Sequence, residues 1–289
     1  MKRMMVVRRL SVAWCCALSL GWAGTASAQD EQQAIEVYRA VKPIKVDGKL
    51  DEPIWNQAKA HALMLPNRMT PRDGDGTPRE GGTVRFAWDE QYFYIGVEMV
   101  DRDVRQDGDR DQQHHYVMGD VVELFLKPTE ASHYWEYYVT PNGLKTSFFY
   151  PDISHAGSDS AMAYESGQKV AATVQGVFNS RENEDKGWTA EMAIPLAELS
   201  EAGVPFEAGH QWTVLVGRYN YNEDMARPEL STVPRIPRPS FHRHRDYAPL
   251  RLLSAEQSAE RVKQARERAA EVKKAEQAEP RAKPKPGEG

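Results

Sequence analysis

The chain has almost no cysteine: it contains two, Cys15 and Cys16, both near the amino terminus. The rest of the sequence therefore cannot form a disulfide framework, a cysteine nucleophile or a thiolate metal site. Neither cysteine lies in the context of a lipidated residue, since Val12-Ala13-Trp14 precedes them. We expect the fold to be stabilised by its hydrophobic core alone.

The sequence near its amino terminus lacks an apolar run long enough to span a membrane. The apolar stretch over residues 10–21 follows four positive residues and precedes Ala26-Ser27-Ala28. This order predicts a cleaved signal peptide over residues 1–28 and a mature chain that begins at Gln29. We expect an exported protein, periplasmic or secreted, without a membrane anchor after cleavage. The export route, Sec or twin-arginine, stays open.

An excess of positive charge is also missing, since the formal net charge is −5. Without the four positive residues of the predicted signal peptide it becomes −9. The tail from Ser254 has nine Lys/Arg and seven Asp/Glu, a net of +2, which leaves −11 for the body. Such a body repels phosphate backbones and anionic lipid. Neither nucleic acid nor a membrane is an expected partner, and we expect a monomer.

Between residues 33 and 253 the dominant signal is alternation of apolar and polar residues. Along residues 92–99, for example, Phe93, Ile95, Val97 and Met99 share one face. Alternation with a period of two predicts strands with one buried face. Similar strands are predicted over residues 84–88, 121–126, 135–139, 145–150, 169–177, 188–194, 212–219 and 249–253.

This pattern predicts an all-β domain over residues 33–253. We expect an antiparallel two-sheet β-sandwich of immunoglobulin or jelly-roll type, because each half-apolar sheet must cover its face with another layer. One short helix is expected at Pro53 and a second over residues 195–199. The tryptophans that fall in or next to these elements are predicted core residues: Trp55, Trp88, Trp135, Trp188 and Trp212.

Residues 254–289 form a charged tail without aromatic residues, leucine or isoleucine. Helix propensity is high as far as Ala278, but Val262 and Val272 cannot form the seam of a coiled coil. We expect a solvated, fraying helix and a disordered end. Removal of the tail after Leu253 is then expected to leave the melting temperature nearly unchanged.

Five segments carry a family resemblance. They are IKVDGKLDEPIW at 44–55, VRFAWD at 84–89 with YFYI at 92–95, GDVVELFL at 119–126, WEYYVTPNG at 135–143 and KGWTAEMAIP at 186–195. In this order they resemble the family 9 carbohydrate-binding modules, DOMON-like β-sandwiches. The resemblance implies a non-catalytic module that binds a saccharide, needs no cofactor and acts beside glycoside-degrading enzymes.

The resemblance also implies which residues contact sugar. A family aromatic precedes the segment at 119–126, and Tyr116 is the nearest one here. Phe241 and His242 match the loop before the last strand. Aromatic rings suit the apolar faces of a pyranose, whereas its hydroxyl rim requires polar partners.

Three polar residues are expected to supply such partners. Glu123 and Glu136 match family positions that contact hydroxyls, and Arg218 is expected to face the same region. Two carboxylates about 5 Å apart would also suit a retaining glycosidase. Because Glu on sandwich strands usually faces solvent or binds Arg, we do not expect an enzyme.

Other interpretations stay open. In the first, the sandwich is a structural or protein-binding module whose sugar site has degenerated. A haem-binding DOMON-like domain would need axial ligands, for which Met118, His114, His115 and His242 are available. The acidic loop that holds Asp101, Asp103, Asp107 and Asp109 could bind calcium, although a solvated loop is the simpler interpretation. His242 and His244 make a poor zinc pair, and no metal is expected otherwise.

Overall fold

The computed structural model describes residues 33–278, apart from Ala156, Arg181 and His210. The predicted signal peptide and the end of the tail lie outside these residues. Twelve strands and four helices occur in the described part, and none of these helices is long and apolar enough to cross a membrane. The helices are α1 Pro53–Gln57, α2 Ser158–Met162, α3 Leu196–Glu201 and α4 Ala255–Ala278.

Strands dominate the fold, which confirms the all-β prediction. They are β1 Ile35–Arg39, β2 His61–Ala62, β3 Gly82–Trp88, β4 Tyr92–Val100, β5 Val121–Pro128, β6 Tyr134–Val139, β7 Lys145–Tyr150, β8 Lys169–Gln175, β9 Gly187–Pro195, β10 Trp212–Asn220, β11 Glu229–Val233 and β12 Ala248–Leu252. The alternation located nine of them. The short or irregular strands β1, β2 and β11 were not predicted.

The strands form one continuous sheet in the order β7-β6-β5-β10-β12-β1-β3-β4-β9-β8, with β11 beside β10 and β2 beside β3. Residues 35–37 of β1 pair with β12 and residues 38–39 pair with β3, both in parallel. The prediction of an antiparallel two-sheet sandwich is therefore confirmed for the all-β class but not for the arrangement of the strands. The sheet is mixed and nearly closed like a barrel, because β1 joins its two halves.

The main core lies between the two halves of the sheet. Val122 and Leu124 of β5 belong to the same cluster as Phe93 and Ile95 of β4. Four of the five tryptophans predicted to be in the core are buried, whereas Trp88 is half-buried under the guanidinium of Arg39. The period-two pattern thus identified the core face of β4, where Phe93, Ile95, Val97 and Met99 are all buried.

The Asp47-Gly48 turn is attached to β9 by the buried carboxylate of Glu191. Glu191 Oε2 accepts the backbone N–H of Asp47 at 2.8 Å and of Gly48 at 3.0 Å. Glu191 Oε1 accepts the indole N–H of Trp55 at 2.8 Å. Gly48 has φ +81°, and a Cβ there would lie 2.6 Å from the backbone of Ala172. Only glycine fits this turn, so Gly48 in the family segment at 44–55 has a structural role.

Helix α4 packs on the domain through its first turns. The backbone N–H of Arg39 donates to Ser258 Oγ at 2.9 Å, and Arg261 binds the Glu36 carboxylate at 2.8 Å. Val262 packs against the cluster around Trp55. The expectation of a solvated tail is wrong for these first turns. Ser258, Arg261 and Val262 each contact the domain, and the polar composition of the helix does not reveal such contacts.

Deletion of all residues after Leu253 should therefore lower the melting temperature by about 4–8 °C. The lost hydrogen bond between Arg39 and Ser258 and the lost partial burial of Val262 sum to roughly 2 kcal/mol, and a domain of this size loses about 2–4 °C per kcal/mol. Deletion after Ala270 is the control, since the residues described beyond it are exposed. If calorimetry shows no change in melting temperature for either truncated protein, the tail is solvated, as the sequence predicts.

Candidate functional site

The half of the sheet formed by β5, β6, β7 and β10 is covered on both faces. Successive residues of a strand face opposite sides, so Val122 and Leu124 point into the main core while Glu123 and Phe125 point outward. All eight residues of β5 are nevertheless buried. The outer face is covered by the segments before β5, after β7 and before β12, which contribute Tyr116, Ala161 and Tyr247 among others.

A pocket of about 130 Å³ lies in this covered outer face, and we call it the outer-face pocket. Its wall contains five aromatic rings, those of Tyr116, Tyr138, Phe148, Tyr150 and Tyr219. Two carboxylates and three imidazoles also line it: Glu123, Glu136, His114, His155 and His242. The described lining residues include no lysine or arginine. The pocket therefore combines apolar rings with acidic groups that lack a basic partner.

A larger hollow of about 700 Å³ lies between α4 and β1. Long polar side chains such as Gln264 and Arg268 line it, and its carboxylate, Glu36, is already paired with Arg261. Volume alone would favour this hollow. The outer-face pocket is the better candidate because its carboxylates are buried and its aromatic rings converge.

Glu123 and Glu136 are both buried, at 2 % and 1 % exposure. Burial raises the pKa of Glu136 to about 8. Burial, together with the nearby charge of Glu136, holds the pKa of Glu123 well above its usual range. Tyr138 donates to Glu136 Oε2 at 3.2 Å, whereas Glu123 Oε1 has no hydrogen-bond partner among the described residues. At neutral pH this pair can offer both donors and acceptors to a polar ligand.

Two histidines converge on Glu136, and we call Glu136, His155 and His242 the His–Glu cluster. Glu136 Oε1 lies 3.1 Å from His242 Nδ1 and 3.9 Å from His155 Nδ1. The two imidazole rings stack with centroids 3.5 Å apart. Burial lowers the pKa of each histidine to about 4, so both rings are neutral near pH 7.

A protein-family model described as carbohydrate family 9 binding domain-like matches residues 46–227. The chain belongs to this family. The match includes both carboxylates and all five aromatic rings of the outer-face pocket. The family 9 domain is a non-catalytic carbohydrate-binding module, so this chain is not an enzyme.

Among solved structures, one shares the fold of this family 9 domain. A presumed carbohydrate-binding protein from Bacteroides uniformis ATCC 8492 is similar with a TM-score of 0.56 and 14 % identity, over 77 % of this chain and 100 % of that one. A family 9 carbohydrate-binding module from Caldicellulosiruptor kristjanssonii was solved with cellotriose and with glucose. Those structures have TM-scores of 0.47 and 0.46 at 16 % identity, over 76 % and 77 % of this chain and 93 % and 96 % of theirs. No curated protein sequence matches the chain.

The family 9 domain brings together four of the six residues predicted to contact sugar. Tyr116, Glu123, Glu136 and His242 all line the outer-face pocket. The sequence did not single out His155, which lies after β7 and meets its partners only in the folded chain. No local signal could have identified it, because its two cluster partners are 19 and 87 residues away in the sequence.

Phe241 does not face the pocket. Its ring is 5 % exposed and packs on Phe125 and Tyr219, with centroids 6.0 and 5.6 Å apart. It also covers Gly217, where a Cβ would lie 2.4 Å from the Phe241 ring. The prediction of an exposed stacking ring needs correction, because a glycine in β10 opens a space that the polar sequence around Phe241 does not reveal.

Arg218 also lies elsewhere, on the core face of β10. It pairs with Val122, whereas Gly217 pairs with Glu123, so Arg218 and Glu123 point to opposite faces. Its guanidinium is fully buried and donates to Asp101 Oδ2 at 2.9 Å and to the backbone oxygen of Glu80 at 2.8 Å. The expectation that Arg218 faces the predicted sugar-binding residues is therefore wrong. A shift of one residue along a strand places a side chain on the opposite face of the sheet.

The four aspartates considered for calcium do not converge. Asp101 is engaged by Arg218, Asp103 Oδ2 accepts the backbone N–H of Glu223, and Asp109 pairs with Arg110. Asp107 completes the predicted set without joining a cluster. Among the described residues, the His–Glu cluster is the group of three or more such side chains whose ligand atoms come together. This arrangement does not favour a calcium site at these four aspartates.

The residues considered as haem ligands are scattered. His115 is buried, with Nδ1 2.7 Å from Thr146 Oγ1 and Nε2 3.1 Å from the backbone oxygen of Arg110. His114 and His242 line the pocket, and Met118 does not. His244 packs on Tyr134 with centroids 4.3 Å apart. The geometry favours neither an axial pair nor a His242–His244 zinc pair.

Proposed function

We propose that the protein binds one terminal unit of a neutral saccharide in the outer-face pocket. The observation that carries this proposal is the convergence of five aromatic rings and two buried carboxylates in one pocket of a family 9 domain. The pyranose ring would stack on Tyr116, Tyr150 or Tyr219. Its hydroxyls would bind Glu123, Glu136 and His242.

Physical chemistry supports this ligand. A pyranose has apolar C–H faces that pack on aromatic rings, and a hydrogen bond between a hydroxyl and an uncharged carboxyl group contributes about 0.5–1.5 kcal/mol. Glu123 Oε1 and Glu136 Oε1 are both buried without a hydrogen-bond partner among the described residues, so both gain from a hydroxyl donor. The pocket, at about 130 Å³, is smaller than the range of about 300–1,000 Å³ typical of larger ligands. Its size therefore favours a chain end over an internal sugar.

We further propose that the protein is exported and acts beside glycoside-degrading enzymes as a monomer. The signal-peptide pattern of residues 1–28 supports export, and family membership supports the role in carbohydrate breakdown. The acidic body supports a partner without phosphate groups.

Tyr116→Ala should weaken saccharide affinity about tenfold, because a lost aromatic contact costs roughly 0.5–1.5 kcal/mol beyond its buried area. A glycan array of the wild-type protein identifies the ligand, and calorimetric titration then measures both affinities. Tyr92→Ala is the matched control: Tyr92 is also half-buried, but it lies on β4 in the other half of the sheet.

Two results would contradict the proposal. A correctly folded wild-type protein that binds no saccharide would indicate a structural or protein-binding role. Equal losses in Tyr116→Ala and Tyr92→Ala would place the saccharide outside the outer-face pocket.

A further inference from the structure

We propose that the His–Glu cluster binds a divalent transition-metal ion, of which Zn²⁺ is the representative, through Glu136 Oε1, His155 Nδ1 and His242 Nδ1. This inference goes beyond saccharide binding and does not depend on it. The ion would occupy the inner end of the outer-face pocket.

The spacing of the three ligand atoms suits such an ion. All three lie within 4.8 Å of one another, and Glu136 Oε1 is 3.1 Å from His242 Nδ1 and 3.9 Å from His155 Nδ1. Zinc bonds of about 2.0–2.1 Å in tetrahedral geometry place two ligand atoms roughly 3.3 Å apart. Because the two imidazoles stack with an interplanar angle of 28°, both rings would rotate to direct their Nδ1 lone pairs at one ion.

The donor set selects the class of metal. Two imidazole nitrogens and one carboxylate oxygen are typical ligands of zinc and its transition-metal neighbours, whereas calcium and magnesium prefer oxygen alone. Three protein ligands also leave a coordination position open. In this fold that position would face the aromatic wall of the pocket.

The protein holds the central ligand rigidly. Glu136 lies in the middle of β6, paired with Phe125 on one side and Phe148 on the other. Its side chain is 2 % exposed, and no described lysine or arginine lines the pocket to neutralise it. His155 and His242 come from two loops, and their side chains are about one-third exposed. An ion could therefore enter from the loop side and meet a fixed carboxylate.

Glu136 Oε1, the atom at the centre of this cluster, is buried and has no hydrogen-bond partner among the described residues. The Tyr134 hydroxyl lies 3.0 Å from His155 Nδ1 and 3.3 Å from His242 Nδ1. It carries a single proton, so it can donate to only one of these nitrogens. A cation bound between Glu136 Oε1 and the two Nδ1 atoms would give all three ligand atoms a partner.

Zinc titration of the tag-free, EDTA-treated protein tests the site without any saccharide. We expect calorimetry to show one Zn²⁺ per chain and no binding of Ca²⁺ at this position. Replacing Zn²⁺ with Co²⁺ should give the strong visible absorption of a tetrahedral complex. Failure of sugar binding would not alter either result.

Three substitutions and one control locate the ion. His155→Ala, His242→Ala and the isosteric Glu136→Gln should each weaken Zn²⁺ binding at least about tenfold, since even an outer partner of a metal ligand contributes that much. His133→Ala should not, because His133 is a half-buried histidine beside Trp135 and outside the pocket. Circular dichroism checks that each variant is folded, and Glu136→Gln retains the size of the side chain.

The proposal is overturned if the wild-type protein binds no Zn²⁺ or Co²⁺. It is equally overturned if folded Glu136→Gln and His155→Ala proteins bind as tightly as the wild type. In the first case the cluster would be held by hydrogen bonds alone, and in the second the ion would bind elsewhere.

Discussion

Arg218→Met is expected to destabilise the protein by about 3–5 kcal/mol, the typical cost of removing one partner from a buried ion pair. Both Arg218 and Asp101 have fully buried side chains. The substitution leaves the Asp101 carboxylate without its cation. It also removes the guanidinium donor from the backbone oxygens of Glu80, Gly81 and Val100. Urea denaturation measures the free energy of unfolding.

The control for this experiment is Arg85→Met. Arg85 pairs with Glu98 at 3.5 Å on the surface of β3 and β4, so its loss should cost at most about 1 kcal/mol. The double variant Arg218→Met, Asp101→Asn removes both charges and should recover part of the loss. If Arg218→Met and Arg85→Met have the same free energy of unfolding, the buried ion pair contributes no more to stability than the surface ion pair.

Phe241→Ala is expected to cost about 3–5 kcal/mol of stability, the range for truncating a buried aromatic ring. The ring fills the space between Phe125, Tyr219 and the backbone of Gly217. Its removal would leave a cavity beneath the aromatic wall and loosen Tyr219. Saccharide binding should therefore fall as a consequence of lost stability.

Urea denaturation and saccharide titration, carried out together, separate this result from the sequence-based expectation. Tyr116→Ala is the comparison, because Tyr116 is half-buried and should cost less stability while weakening binding directly. If Phe241→Ala keeps wild-type stability but loses saccharide binding, Phe241 is a stacking ring after all. In that case the buried packing seen here does not represent the ligand-binding state.

Much of the fold could be predicted because strands bury alternate residues. The pattern along β6, β9 and β10 placed Trp135, Trp188 and Trp212 in the core, and all three are buried. Pairing could not be predicted in the same way. A strand such as β1 has two edges, and nothing in Ile35–Arg39 states that both edges pair in parallel.

The candidate site was predictable only in part. Glu123, Glu136, Tyr116 and His242 were identified by the family resemblance, and all of them line the outer-face pocket. Arg218 was misplaced because a shift of one residue along a strand reverses the face. Residue-by-residue comparison with a family is least reliable where it assigns a strand residue to one face of the sheet.

The sequence by itself determined the all-β class, the core face of strands such as β4 and the family, because these depend on local alternation and ordered motifs. Only the tertiary structure decided that the sheet is continuous through β1, that α4 packs against it, and that Phe241 is buried. It alone also brought Glu136, His155 and His242 together. The physical reason is that these features are contacts between segments far apart in the chain, and such contacts leave no periodic trace in the sequence of either partner.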